Sequence, residues 1–189
     1  GTFSFLSSFD SDGFTLGTND NDVNGSGYTY VGWNWKANGA GVSNTDGSIT
    51  STVSANPTAG FSIVSYTGTG NAGDSFGHGL GVAPNLVIFK NRNSTNGWFV
   101  QGDSIGSGPA AGSFLTLQTT NAVSTSTNVN TTFGSSTVTL DVTAGYNGSG
   151  LTYIAYCFAE VEGYSKFGSY TGNGSADGPF VHLGFRPAF

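Results

Sequence analysis

Charge is scarce in this chain: Asp, Glu, Lys and Arg make up 8% of its 189 residues, with 5 basic side chains against 11 acidic ones. Globular domains usually carry about a quarter. With a net charge of −6 and only Lys90 and Arg92 as a close basic pair, the sequence excludes a nucleic-acid track, which needs a clustered Lys/Arg footprint. Cysteine occurs once, so no intrachain disulfide can form. Cys157 lies in the apolar run Tyr153–Phe158, where a buried, inert thiol is expected. Apolar stretches stop at strand length, as in Leu86–Phe89, far below the ~20 residues that span a bilayer, so no membrane insertion is expected. Helix-forming windows are also missing, because Gly interrupts nearly every candidate.

What the chain does have is glycine and aromatics: 31 Gly, 15 Phe, 8 Tyr and 3 Trp. Aromatic side chains that each bury ~150–250 Å² are ample for a core, which sets this composition apart from disorder. The exterior left over is Ser, Thr, Asn and Gly, suited to extracellular work. Short β-branched and aromatic runs fenced by turn residues read as strands. The expected strands include Phe3–Leu6, Gly13–Gly17, Tyr28–Lys36, Ile49–Val53, Phe61–Thr67, Leu86–Asn91, Gly97–Gln101, Phe114–Thr119, Ser136–Val142, Leu151–Ala159, Tyr164–Ser169 and Phe180–Leu183. The fold class expected is all-β, as antiparallel sandwich or jelly-roll-like modules in tandem.

The tandem reading comes from an internal repeat. Asn24-Gly25-Ser26-Gly27-Tyr28-Thr29-Tyr30-Val31-Gly32-Trp33 returns as Asn147-Gly148-Ser149-Gly150-Leu151-Thr152-Tyr153-Ile154-Ala155-Tyr156. Gly60-Phe61-Ser62-Ile63-Val64-Ser65-Tyr66-Thr67-Gly68 returns, with one extra residue, as Gly163-Tyr164-Ser165-Lys166-Phe167-Gly168-Ser169-Tyr170-Thr171-Gly172. The expected organisation is therefore four segments: 1–39 as the C-terminal strands of a preceding module, 40–60 as a linker or insertion, 61–162 as a complete sandwich module, and 163–189 as the truncated start of a following one. Incomplete modules are expected to find partner strands in further chain or in neighbouring molecules.

The strings Trp33-Asn34-Trp35-Lys36-Ala37-Asn38-Gly39, Asn44-Thr45-Asp46-Gly47-Ser48-Ile49-Thr50-Ser51 and His78-Gly79-Leu80-Gly81-Val82-Ala83-Pro84-Asn85-Leu86-Val87-Ile88-Phe89 resemble those of marine, cyanophage-like virion and tail-fibre-like structural proteins. The resemblance covers nearly the whole chain. It implies a large appendage protein, often with a concanavalin-like lectin sandwich ahead of the module, and brings no catalytic residues with it.

Several short motifs need weighing. Asp20, Asp22 and Asn24, in Asp20-Asn21-Asp22-Val23-Asn24-Gly25, are candidate calcium ligands, with oxygens at alternate positions and a turn Gly. The later bidentate Glu of an EF-hand is lacking, and the copy Ala144–Gly148 has no carboxylate, so a solvated Asx-rich turn is the preferred reading. Beyond that Ca2+ site, no cofactor is expected. Gly68–Gly73 fits a dinucleotide fingerprint without the helix that must follow it. Gly102-Asp103-Ser104-Ile105-Gly106 and the Gly73-Asp74-Ser75 triplet near His78 match hydrolase motifs only in outline, because no helix follows Ser104 and the second copy loses the Gly-Asp-Ser order. Glu160 and Glu162 stand too close, on one strand face, to straddle a sugar. His78, repeated as His182, is expected to hold a loop by hydrogen bonding.

Trp33, Trp35 and Trp98 are the candidate ligand-binding residues, as stacking platforms for sugars. Trp33 and Trp35 match Tyr156 and Phe158 in the copy, and that persistence of aromatic character favours core packing for the pair. Trp98, after the polar turn at Asn96, is the better exposed candidate. The expectation is a non-enzymatic virion appendage protein at the virion or cell exterior, partnered by its own copies, other virion proteins and host-surface glycans. A self-assembling extracellular filament subunit, joined by strand pairing between chains, is the alternative.

Overall fold

The computed structural model describes residues 5–17, 21–105 and 112–187. The chain forms two compact units, Gly1–Trp35 and Lys36–Phe189. Within the first, β1 (Leu6–Phe9) and β2 (Phe14–Leu16) make an antiparallel hairpin with Phe9 opposite Phe14.

The second unit is an antiparallel sandwich. Its strands are β3 (Val42–Asn44), β4 (Ser51–Asn56), β5 (Phe61–Thr67), β6 (Ser75–Gly77), β7 (Leu86–Asn91), β8 (Trp98–Gly102), β9 (Ser113–Thr116), β10 (Ser124–Thr125), β11 (Thr132–Phe133), β12 (Thr137–Thr139) and β13 (Thr152–Phe158). Eight of them form one sheet in the order β10-β9-β8-β7-β13-β5-β4-β3, and a second sheet runs β11-β12-β6. Both edges of the large sheet are short strands, which limits the bare backbone open to foreign pairing.

Strict alternation along the central strands decides what faces the core. Tyr153, Ala155 and Cys157 of β13, Val87 and Phe89 of β7, and Val64 and Tyr66 of β5 point inward, against Phe76, Val138 and Leu140 of the smaller sheet. Tyr66 stacks on Phe76 at 4.5 Å and on Tyr153 at 5.4 Å, while Phe89 meets Tyr146 at 4.8 Å. Burial of aromatics this size is the largest favourable contribution the fold has.

Residues 40–60 correct the linker expectation. β4 pairs with β5 from Thr52 opposite Ser65 to Asn56 opposite Phe61, and β3 pairs with β4. Ser51 and Val53 alternate inward, and a 3-10 turn at Pro57–Ala59, capped by Asn56 and ended by Gly60, joins β4 to β5. The segment has no equivalent in the later copy, yet it completes the sheet.

The repeated segments share local structure and differ in pairing. Tyr153 Oη accepts from the Gly148 amide at 2.8 Å and donates to the Ala144 carbonyl at 2.9 Å. In the earlier copy Tyr30 Oη accepts from the Gly25 amide at 2.8 Å and donates to the Asn21 carbonyl at 2.8 Å. The four partners occupy matching repeat positions. Gly25 and Gly148 each leave no room for a Cβ, which would lie 2.9 Å from the Tyr28 ring or 2.8 Å from Leu151. Gly27 and Gly150 take positive φ of 81° and 72° in the same turn.

Beyond the turns the copies diverge. Residues 152–158 form β13, whereas the strand expected at Tyr28–Lys36 does not form and the segment belongs to no ladder. Likewise Phe61–Thr67 forms β5, while the strands expected at Tyr164–Ser169 and Phe180–Leu183 do not form, apart from an isolated bridge between Val161 and Ser165. A strand exists only where a neighbour takes up its amides and carbonyls.

The hydroxyl lock makes a testable difference between the copies. Tyr153→Phe removes two part-buried hydrogen bonds, to the Gly148 amide and the Ala144 carbonyl, and is expected to lower unfolding free energy by about 0.5–1.5 kcal/mol in urea titration. Tyr30→Phe, on an exposed tyrosine, is expected to leave the main transition within about 0.5 kcal/mol.

Candidate functional site

The outer face of the large sheet is the surface opposite the core. Alternation places Leu115, Val100, Ile88, Tyr156 and Ile63 on it, and the strand register sets them side by side in one row crossing β9, β8, β7, β13 and β5. The next row runs Trp98, Lys90, Ile154, Ser65 and Thr52. Half-buried positions dominate both rows.

Trp98 and Tyr156 meet diagonally across these rows, with ring centroids 6.2 Å apart and planes 23° from parallel. Both rings are half-buried, so each leaves part of its surface open on this face. Its frame is rigid: the Trp98 amide donates to Gln118 Oε1 at 2.9 Å, and Lys90 Nζ donates to the carbonyls of Asn91, Ser94 and Asn96, holding the turn before Trp98. The rim is amide and hydroxyl, with Asn93 Oδ1 accepting from both the amide and the hydroxyl of Thr152. At one end of this face Phe61 and Phe158 pair at 4.9 Å, and Phe167 covers Phe158 at 6.0 Å.

Trp33 and Trp35 correct the core expectation: they are 65% and 51% exposed. Their repeat partners Tyr156 and Phe158 lie on the outer face of β13, where Tyr156 is half-buried and Phe158 is buried against Phe61 and Phe167. The persistent aromatic character therefore marks the outward side of this strand type. Tyr156 is the residue that sequence reasoning missed; its alternation with Cys157, which was expected to be buried, was the available signal.

The other motif residues occupy the following places. Asp20 lies outside the described residues; Asp22 is exposed, and Asn24 donates through Nδ2 to the Gly17 carbonyl at 3.2 Å. Asn147, which matches Asn24, is fully buried and holds two loops. Its Oδ1 accepts from the amides of Thr69 and Gly70, and its Nδ2 donates to the carbonyls of Asn71 and Asp141. Asp74 binds Thr69, Ser48 and Asn71, led by a 2.6 Å bond from Thr69, and these bonds hold its carboxyl below the usual range. His78 is fully buried; one ring nitrogen lies 3.1 Å from the Gly134 carbonyl and the other accepts the Leu80 amide, so the ring is neutral and burial lowers its pKa. Asp74 and His78 therefore serve separate loops. Ser104 sits in a turn closed by the Ile105 amide on the Gly102 carbonyl, and Gly106 lies outside the described residues.

Glu160 works at the end of β13. Its carboxylate accepts from Lys166 Nζ at 2.9 Å and from the Phe167 amide at 3.1 Å, which together hold its pKa below the usual range. Lys166 is the residue the second repeat copy adds, so the extra residue makes the ion pair that fastens the 161–167 turn.

A family model matches residues 2–189. The chain belongs to the DUF7483 family, described as a domain of unknown function. No curated protein and no solved structure matches this DUF7483 chain.

Two measurements follow from this chemistry. Burial pushes the Cys157 thiol up to about 12, so a thiol-specific reagent is expected to label the chain only after denaturation. Glu160, with a depressed pKa, fastens its turn above the ordinary carboxylate range and loses that hold as pH falls through its folded value. Protection factors of the amides across 161–167, which are corrected for the intrinsic pH dependence of exchange, are expected to fall in the parent chain as pH drops through the lowered Glu160 pKa. In Glu160→Gln the same amides are expected to show low protection with no such pH step.

Proposed function

We propose that this chain is a non-enzymatic structural and adhesive part of a phage virion appendage, such as a tail fibre, spike or surface fibre. In this reading it works outside the cell and presents the outer face of its large sheet to host-surface glycans. The observation that carries the reading is the Trp98–Tyr156 pair, two near-parallel, half-buried rings on a braced sheet with an amide and hydroxyl rim. Sugar rings present C–H faces that stack on aromatics and hydroxyls that such a rim can bind. The near absence of charge suits a neutral polysaccharide and carries no phosphate-binding footprint. The likeness to virion and tail-fibre-like proteins supplies the setting.

Glycan-array binding followed by calorimetry tests the reading. Trp98→Ala is expected to weaken binding at least about ten-fold, equal to about 1.4 kcal/mol, while the chain stays folded. Binding to no glycan, or equal binding by parent and Trp98→Ala, would overturn it.

A further inference from the structure

The β13·β5 ladder joins two sequences that each occur a second time. β13 sets Thr152 opposite Thr67, Tyr153 opposite Tyr66, Ile154 opposite Ser65, Ala155 opposite Val64 and Tyr156 opposite Ile63. The repeat carries those positions to Thr29–Trp33 on one side and to Phe167–Thr171 on the other. We propose that residues 29–33 of one copy of the chain pair antiparallel with residues 167–171 of a second copy, in the register of β13 on β5. This proposal is independent of the glycan reading.

Each half is already shaped for the pairing. The turn before residue 29 carries the same tyrosine hydroxyl lock as the turn before β13, in Tyr30 and Tyr153. Gly163 takes a positive φ of 74°, as Gly60 does at 64° before β5. Neither 29–33 nor 167–171 belongs to a strand ladder among the described residues, and Tyr28, Val31, Trp33 and Tyr170 are exposed. Exposed backbone outside any ladder, bearing aromatic side chains, can add to a partner strand.

The faces also match. In this register Tyr30 falls opposite Tyr170, as Tyr153 falls opposite Tyr66, whose rings stack. Val31 meets Ser169 and Gly32 meets Gly168. Trp33 meets Phe167 on the outward side, the place of Tyr156 against Ile63. None of these residues is charged, so no like-charge pair opposes the ladder. The inserted Lys166 ends the register. Both matching sequences lie on one chain, so a second copy supplies the complement without a foreign protein. Because the two segments are different surfaces, the contact is head-to-tail and propagates. A ladder this short is marginal alone, so association is weak and rises with concentration.

Disulfide trapping tests the register. Paired residues in an antiparallel ladder have Cα atoms about 4.5–5.5 Å apart, within disulfide reach. Val31→Cys and Ser169→Cys proteins, mixed as single variants and oxidised, are expected to give a 31–169 linked dimer identified by peptide mass. The yield is expected to exceed that of Val31→Cys with Asn173→Cys, an exposed but out-of-register site, by about ten-fold. Buried Cys157 stays out of the reaction. Equal yields at 169 and 173 overturn the proposal. So does the absence of a 31–169 link, or a link found only within single chains of the doubly substituted protein. Sedimentation of the unsubstituted chain is expected to show mass rising with concentration; a constant monomer overturns the proposal whether or not the variants fold.

Discussion

Strand β13 is the constraint on which the rest of the structure depends. It pairs along its length with β5 on one side and β7 on the other, so its amides and carbonyls are fully engaged at the centre of the large sheet. Once that pairing is set, alternation has only one outcome. Tyr153, Ala155 and Cys157 enter the core, while Ile154, Tyr156 and Phe158 face outward. The core and the aromatic outer surface are thus two sides of one register. A slip of one residue would exchange them.

A chain with so few charges closes its loops with neutral polar groups instead. Asn147 uses its carbonyl and amide ends to tie Thr69, Gly70, Asn71 and Asp141 together from a fully buried position. Gln101 donates to the carbonyls of Ser113 and Val129 and accepts from Thr131, and Asn91 reaches Ala144 and Asn93. Buried amides with every partner in place avoid the desolvation cost of an ion. The one ion pair, among the described residues, is Glu160–Lys166, at the surface where β13 ends. That distribution gives the low charge a structural meaning: loops are held by geometry that salt does not screen.

The repeat separates side-chain chemistry from pairing. Aromatic character at Trp33 and Trp35 persists at Tyr156 and Phe158, and sequence reasoning assigned it to a core. In the sandwich those positions face outward, where Tyr156 joins Trp98. Aromatic residues on an outward face are consistent with a surface meant to touch something, the basis of the adhesive reading proposed above.

Sequence alone determined the all-β class, the bounds of β5 and β7, and the approximate positions of β4, β8, β9, β12 and β13. Those features are local: a β-branched or aromatic run acts through neighbours in the chain. Only the tertiary structure decided that 28–36 and 164–169 stay out of ladders while their near-copies form β13 and β5. It also decided that 42–56 belongs to the sheet, and that Tyr156 meets Trp98. Strand pairing joins residues far apart in sequence, so two segments with nearly the same residues become strand or coil according to what lies beside them.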